Sequence, residues 1–281
     1  MNLDSRFVRL FSRQISQMIG ILTSVVLTLV ACQPVARDRT ASSSAEPTEV
    51  NVTMTAMFYS TREPDQVTPV PLDKLRQRWL TGIPSCRPPC WEGIVPGQTS
   101  AMEAAETLSR NPAFSEVELD KSPLPNDRTG HLTFKMNAVL ADGTISLWGG
   151  DALFDYTTPD QIIYVVRLHF PEMQMGDLIR VRGEPSHVMA FSAPTPDIED
   201  ESYVWELDML WLRQGLAMHH AGDFTEPKID EHLIFKQATY FPPTLEGYGK
   251  ATSLFYAEHV RLWHGYGDFD SYFESSPEQG E

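Results

Sequence analysis

The strictest constraint on this chain lies between His131 and Leu147. Leu132, Phe134 and Met136 alternate there with His131, Thr133, Lys135 and Asn137, and Asp142-Gly143 precedes Ile145 and Leu147. Successive side chains of a strand point to opposite faces, so this period of two predicts a strand with one apolar and one polar face. Asp-Gly tolerates the positive backbone angles of a tight hairpin turn, so the following strand returns antiparallel. A sheet built this way must bury its apolar face against something.

Short helices supply the cover. Ser100 and Glu103 carry the signature of a capping box, in which the serine oxygen accepts a free amide and the glutamate reaches back. Ala101, Ala104, Ala105 and Leu108 then share one face, which predicts a helix over 100–109. Leu72, Leu75 and Trp79 also fall at helical spacing, with Gly82 as the stop. Val50–Phe58 is expected as a strand limited by Pro64, Pro69 and Pro71, and Gln161–Phe170 as a long, mostly apolar one. The order then recurs. Met175, Leu178 and Ile179 share a helical face that Gly183 and Pro185 end, and strands are expected at about 187–193, 203–213, 216–220 and 232–241. The expected fold is α+β, with short helices packed on an antiparallel sheet in two tandem helix-plus-meander units.

The beginning of the chain has a different logic. Arg6, Arg9 and Arg13 precede a run from Met18 to Ala31 without any charge. About 14 such residues are fewer than the roughly 20 of an ordinary spanning helix, and a short apolar core behind basic residues is the form of a secretory signal. Leu29-Val30-Ala31-Cys32 resembles the lipobox of bacterial lipoproteins, in which the cysteine is lipidated and becomes the first mature residue. The competing reading is an uncleaved signal anchor. Two or more acyl chains anchor a protein stably, so the mature chain needs no spanning helix. The expected organisation is a signal peptide over 1–31, a Ser-, Ala-, Pro- and Thr-rich tether over 32–49, and a segment with a cysteine loop over 50–92. Two α+β units follow over 93–171 and 172–281.

Charge narrows the partners. Of 22 Lys and Arg and 38 Asp and Glu, residues 1–31 hold three Arg and one Asp, leaving 19 basic and 37 acidic residues and a charge of −18. Such a surface repels nucleic acid and anionic headgroups, so lipid on Cys32 rather than charge must hold the chain at a membrane. Cys86 and Cys90 remain as a pair outside the reducing cytoplasm. Cys86-Arg87-Pro88-Pro89-Cys90 suits a tight disulfide, with free thiols and a redox or metal pair as the alternatives.

Two segments carry a resemblance. Pro89-Cys90-Trp91-Glu92-Gly93-Ile94-Val95-Pro96-Gly97-Gln98-Thr99 looks like a motif of uncharacterised bacterial lipoproteins, where Pro-Gly-x-Thr opens a short helix. Met175-Gly176-Asp177-Leu178-Ile179 with Gly183-Glu184-Pro185 is similar to the helix–sheet domains of the BamE/SmpA lipoproteins and of β-lactamase-inhibitor-like repeats. Each match covers about a dozen residues. The first unit lacks the Gly-x-Pro that closes the second unit's helix. The resemblance implies a binding or assembly scaffold and brings no activity with it.

Catalytic signatures are missing from the sequence. There is no Gly-x-Ser-x-Gly elbow and no His-Glu-x-x-His helix. Gly247-Tyr248-Gly249-Lys250 lacks P-loop spacing and reads as a turn. His219 and His220 are adjacent on an expected strand and point opposite ways, so a metal would need His232 and a further ligand. They read instead as exposed or hydrogen-bonded strand residues whose loss is nearly neutral. Asp197, Glu199, Asp200 and Glu201 form an acidic run, either a solvated loop or a weak cation site without the glycine of a calcium loop. Trp263, Tyr266, Phe269, Tyr272 and Phe273 either dock on the sheet or form an exposed partner-binding patch.

The expected function is therefore a lipid-anchored, extracytoplasmic, non-catalytic binding or envelope-assembly module. It would sit on the cell membrane or outer membrane, need no cofactor or metal, and have an envelope protein or glycan as partner. The alternative is an extracytoplasmic hydrolase, with glycan among its candidate substrates, using paired acidic residues across a cleft. A transporter's solute receptor fits less well, because no alternating strand–helix pattern is present.

Overall fold

The computed structural model describes residues 57–61, 66–82, 85–121, 127–194, 203–221, 228–252 and 259–272. The signal peptide, Cys32, the tether, the acidic run at 197–201 and Phe273 lie outside the described residues.

The alternating segment forms β4 (Thr129–Val139), and β5 (Ile145–Asp155) returns beside it, paired from Thr129↔Asp155 to Val139↔Ile145. The turn between them closes as its residues dictate. Gly143 takes φ 84°, and the Asp142 carboxylate accepts the Thr144 amide at 2.9 Å. Before them come β1 (Met57–Thr61), β2 (Val70–Pro71) and β3 (Phe114–Lys121), and after them β6 (Ile163–Gln174). The later strands are β7 (His187–Pro194), β8 (Tyr203–Trp211), β9 (Leu216–Ala221), β10 (Lys228–Ile229), β11 (Ile234–Tyr240), β12 (Val260–Leu262) and β13 (Gly267–Asp268). One sheet of 11 strands runs β1-β3-β4-β5-β6-β11-β9-β8-β7-β12, with β2 parallel to β4. Its remaining pairings are antiparallel. β6 and β11 meet at its middle, although they are distant in sequence.

Four helices are described: α1 (Leu72–Thr81), α2 (Ala101–Arg110), α3 (Met175–Arg182) and α4 (Leu245–Thr252). The first three match the expected periodicities, and their stops behave as expected, with Gly82 and Gly183 at φ 72° and 79°. Ser100 Oγ accepts the Glu103 amide at 3.2 Å, the serine half of the capping box. Leu75, Trp79, Ala104, Leu108, Met175 and Leu178 are buried against one face of the sheet, together with Phe134, Leu168, Met209 and Tyr240.

α4 corrects the reading of Gly247-Tyr248-Gly249-Lys250 as a turn. Glycine disfavours helix by about 1 kcal/mol, but tertiary packing overrides it here. Tyr248 and Ala251 are buried with Val165, Leu210, Ala217 and Phe241, which point to the sheet's opposite face. Among the described residues, α4 is the one helix on that side.

The cysteine loop is a clamp. Cys86 and Cys90 are disulfide-bonded with Cα atoms 5.1 Å apart. Trp91 follows, buried, stacked on Phe134 at 4.9 Å and edge-on to Phe114 at 6.0 Å. Each such ring pair contributes about 0.5–1.5 kcal/mol beyond its burial. Glu92, held at φ 50°, forms an ion pair with Arg78 of α1. Burial pushes the Glu92 carboxyl up, against the opposing pull of Arg78. Because the disulfide closes so short a loop, Cys86→Ala with Cys90→Ala should cost less than the ~3 kcal/mol of a loop of about 15 residues. Urea denaturation of the double variant measures this. A loss above that value would mean that the loop does more than restrain the unfolded chain.

Among the described residues no helix is long and apolar enough to cross a membrane.

Candidate functional site

Alternation sends the polar residues of the central strands to the face away from α1, α2 and α3, and register lines them up. One row pairs Glu116 with Lys135 and Lys135 with Gly149. It resumes on β6, where His169 pairs with Gln237, Gln237 with His219 and His219 with Asp208. A second row runs Glu118, Thr133, Asp151, Arg167 and Thr239. Directly opposed residues have Cβ atoms roughly 5 Å apart, so the rows make a polar band across the sheet. Gly149 contributes no side chain, and a cavity of about 400 Å³ opens there, lined by Glu116, Lys135, Asp151 and His169 among others. Ile145 and Leu147 continue along β5 on the same face, and both are exposed.

Most charges of the band are already paired. Lys135 meets Glu116 at 2.6 Å with both groups half exposed, a contact contributing at most about 1 kcal/mol. Arg167 holds Asp151 with two bonds, of 2.6 and 3.2 Å. Lys236 meets Glu172 at 3.2 Å.

The best-held group is Asp208, 4% exposed. One oxygen takes Nδ1 of His219 at 2.6 Å, and the other accepts the Tyr248 hydroxyl of α4 at 2.5 Å. Burial works against the His219 charge, but the bond to Asp208 and the fields of Asp208 and Glu206 outweigh it, so the imidazole's pKa is raised. Burial and the Asp208 charge push the Tyr248 phenol far up, which keeps it a donor. The Asp208 bond fixes the His219 ring by Nδ1 and leaves Nε2 free of it, and His219 lines a cavity of about 140 Å³ beside Arg167, Glu206 and Thr252. Chemically, this arrangement can donate a hydrogen bond or a proton at a fixed position.

His219 and His220 are hydrogen-bonded strand residues, one of the two expected forms. The His219 side chain is 23% exposed and serves a buried carboxylate. His220 takes a different partner, the Ile234 carbonyl at 2.7 Å, as alternation requires. Among the described residues, no group of three or more His, Cys, Asp or Glu is arranged to hold a metal.

Of the two readings of the C-terminal rings, docking on the sheet holds for the buried ones, and the exposed patch does not hold for them. Phe269 and Tyr272 are buried, so they cannot form a contact surface on the folded chain. Trp263 stacks on Tyr272 at 5.9 Å and packs against the main core, while Tyr266 is 49% exposed. Phe269 meets Trp205 edge-on at 5.1 Å, so the described part of this segment docks on β8.

Sequence reasoning reached the polar half of β4 through its alternation, but Arg167, Asp208, Gln237 and Tyr248 carried no signal. They belong to the site only through strand register.

The chain matches no family model, no curated protein and no solved structure.

Proposed function

We propose that this chain is a lipid-anchored, non-catalytic binding or envelope-assembly module on the extracytoplasmic side of a membrane, engaging an envelope protein through the polar face of its sheet. The observation that supports it is the band of register-aligned polar residues on the face away from α1, α2 and α3. A band whose charges are largely paired, bordered by exposed Ile145 and Leu147, suits the polar and aliphatic mixture of a protein surface. The hydrolase alternative needs two carboxylates free to act across a cleft. Glu116, Asp151, Asp208 and Glu172 are each tied to a cation or an imidazole, which favours the binding reading.

The reading includes two tandem helix-plus-meander units, 93–171 and 172–281, meeting where β6 pairs with β11. In support, each opens on a helix followed by a run of four paired strands, α2 with β3 to β6 and α3 with β7 to β11, β10 set aside, and the second goes on to α4 and β12. The anchor on Cys32 rests on the lipobox-like Leu29-Val30-Ala31-Cys32.

One experiment addresses face and anchor together. Thr133→Arg with Leu147→Asp places two charges on exposed positions of the band and should change stability by about 0.5 kcal/mol or less. Capture of the envelope partner from solubilised membranes should then be lost. Cys32→Ser should leave an unprocessed chain without lipid. Undiminished capture by the first variant would overturn the proposed face, and a mature-sized, membrane-bound Cys32→Ser product the anchor.

A further inference from the structure

β11 pairs with β9 only from Gln237↔His219 to Tyr240↔Leu216, whereas its first residues, Ile234 and Phe235, pair with β6. The two strands therefore part just before Gln237. His220 lies beyond the last pair, and its Nδ1–H donates across the opening to the Ile234 carbonyl. Alternation points His219 and His220 to opposite sides, yet both residues line a cavity of about 380 Å³ at this parting. His169, Lys236, Gln237 and Glu172 also line it.

The hydrogen-bonding capacity around this cavity is lopsided. Its carboxylate, Glu172, is held by Lys236 at 3.2 Å, and both oxygens of the adjacent Asp208 are engaged. Among the described residues, the side chains of His169 and Gln237 have no hydrogen-bond partner. What remains for a ligand includes several donors: the Gln237 amide NH2, the imidazoles of His169 and His219, and the ammonium protons of Lys236 not directed at Glu172.

We propose that the cavity where β9 and β11 part is a subsite for an anionic oxygen group, a carboxylate or a phosphate, on the ligand of the polar sheet face. It rests on the reading of that face as the binding surface, but its chemistry is testable without the partner. Gln237 gives a directional bond at the centre, His169 and His219 flank it from the neighbouring strands, and Lys236 adds charge at the rim. His219 is faced by Asp208 and Glu206 from β8, Arg167 and His169 from β6, Lys236 from β11 and Tyr248 from α4. Its raised pKa favours the imidazolium, so Nε2 carries the proton that an anion accepts, and binding strengthens as pH falls.

The test is a titration of the full mature chain, with histidine ring signals followed by NMR, using inorganic phosphate and, separately, sodium acetate. Saturable shifts of the His169, His219 and His220 signals with at least one anion are expected, about tenfold tighter at pH 6 than at pH 8. Phosphate alone or acetate alone would each support the site and identify the group. His169→Gln with Lys236→Met should weaken binding about tenfold while leaving the melting temperature unchanged. Non-saturating shifts with both anions, equal binding at the two pH values, or undiminished binding by the double variant would overturn the subsite. Anion binding by a chain that captures no partner would leave the subsite standing and count against the partner reading.

Discussion

Asp208→Ala is expected to destabilise the fold by about 3 kcal/mol, because it removes a buried group that two other side chains depend on. His219 loses the acceptor that fixes its ring, and the Tyr248 hydroxyl is left buried without its partner. Tyr248→Phe should cost less, about 1–2 kcal/mol, since Asp208 keeps its bond to His219. The pH dependence follows from the raised His219 pKa. A group that binds its proton more tightly when folded contributes stability fully present below its unfolded value, about 6.5 for imidazole. That contribution is lost as pH rises through the higher folded value. Wild-type stability should therefore fall with rising pH from about 6.5 upward, and Asp208→Ala should flatten that part of the profile. Urea denaturation at a series of pH values reads both effects. A variant that kept the wild-type slope would show that another group controls it.

Gly215→Ala should be comparably severe. Gly215 sits in the left-handed region at φ 57° and ψ 42°, between a single 3-10 turn and β9. Its carbonyl accepts the Phe241 amide at 2.9 Å, which draws the two backbones together. A Cβ there would lie 2.1 Å from the Phe241 carbonyl oxygen and 2.8 Å from Pro89 of the cysteine loop. The left-handed conformation costs an L-residue about 1–2 kcal/mol, and overpacking against two fixed segments about 1–3 more. A loss of about 3 kcal/mol is expected, and Gly215→Asn should not rescue it, although asparagine tolerates the left-handed region. A change below about 1 kcal/mol for either variant would mean that the cysteine loop and the β11 end yield freely, and it would argue against their role as a clamp.

These effects lie where local sequence is least informative. Strand β4, the Asp142-Gly143 turn and the Ser100 cap were legible because each depends on interactions within a few residues. The period of two, the tolerance for positive φ and the serine acceptor all act before any tertiary structure forms. The strands 187–193 and 216–220 were likewise placed close to their observed limits. α4 was not legible, because its two glycines oppose helix and only the burial of Tyr248 and Ala251 makes one. The C-terminal rings show the same limit. Spacing cannot tell an aromatic that docks on the sheet from one that faces a partner, and Phe269 and Tyr272 dock.

The candidate site divides along the same line. By itself the sequence determined which residues of each strand share a face, since side-chain alternation is a property of the extended backbone. It thereby placed Thr133 and Lys135 on the polar side of β4. Which strands became neighbours, and in what register, was decided by the tertiary structure. The meeting of β6 with β11 joins segments about 70 residues apart, and no local interaction favours it. Burial of one apolar face under α1, α2 and α3 fixes that register, because a slip of one residue would turn the side chains buried there to the polar face. Register then set His169, Gln237, His219 and Asp208 in one row, and the early end of the β9–β11 pairing opened the cavity beside them.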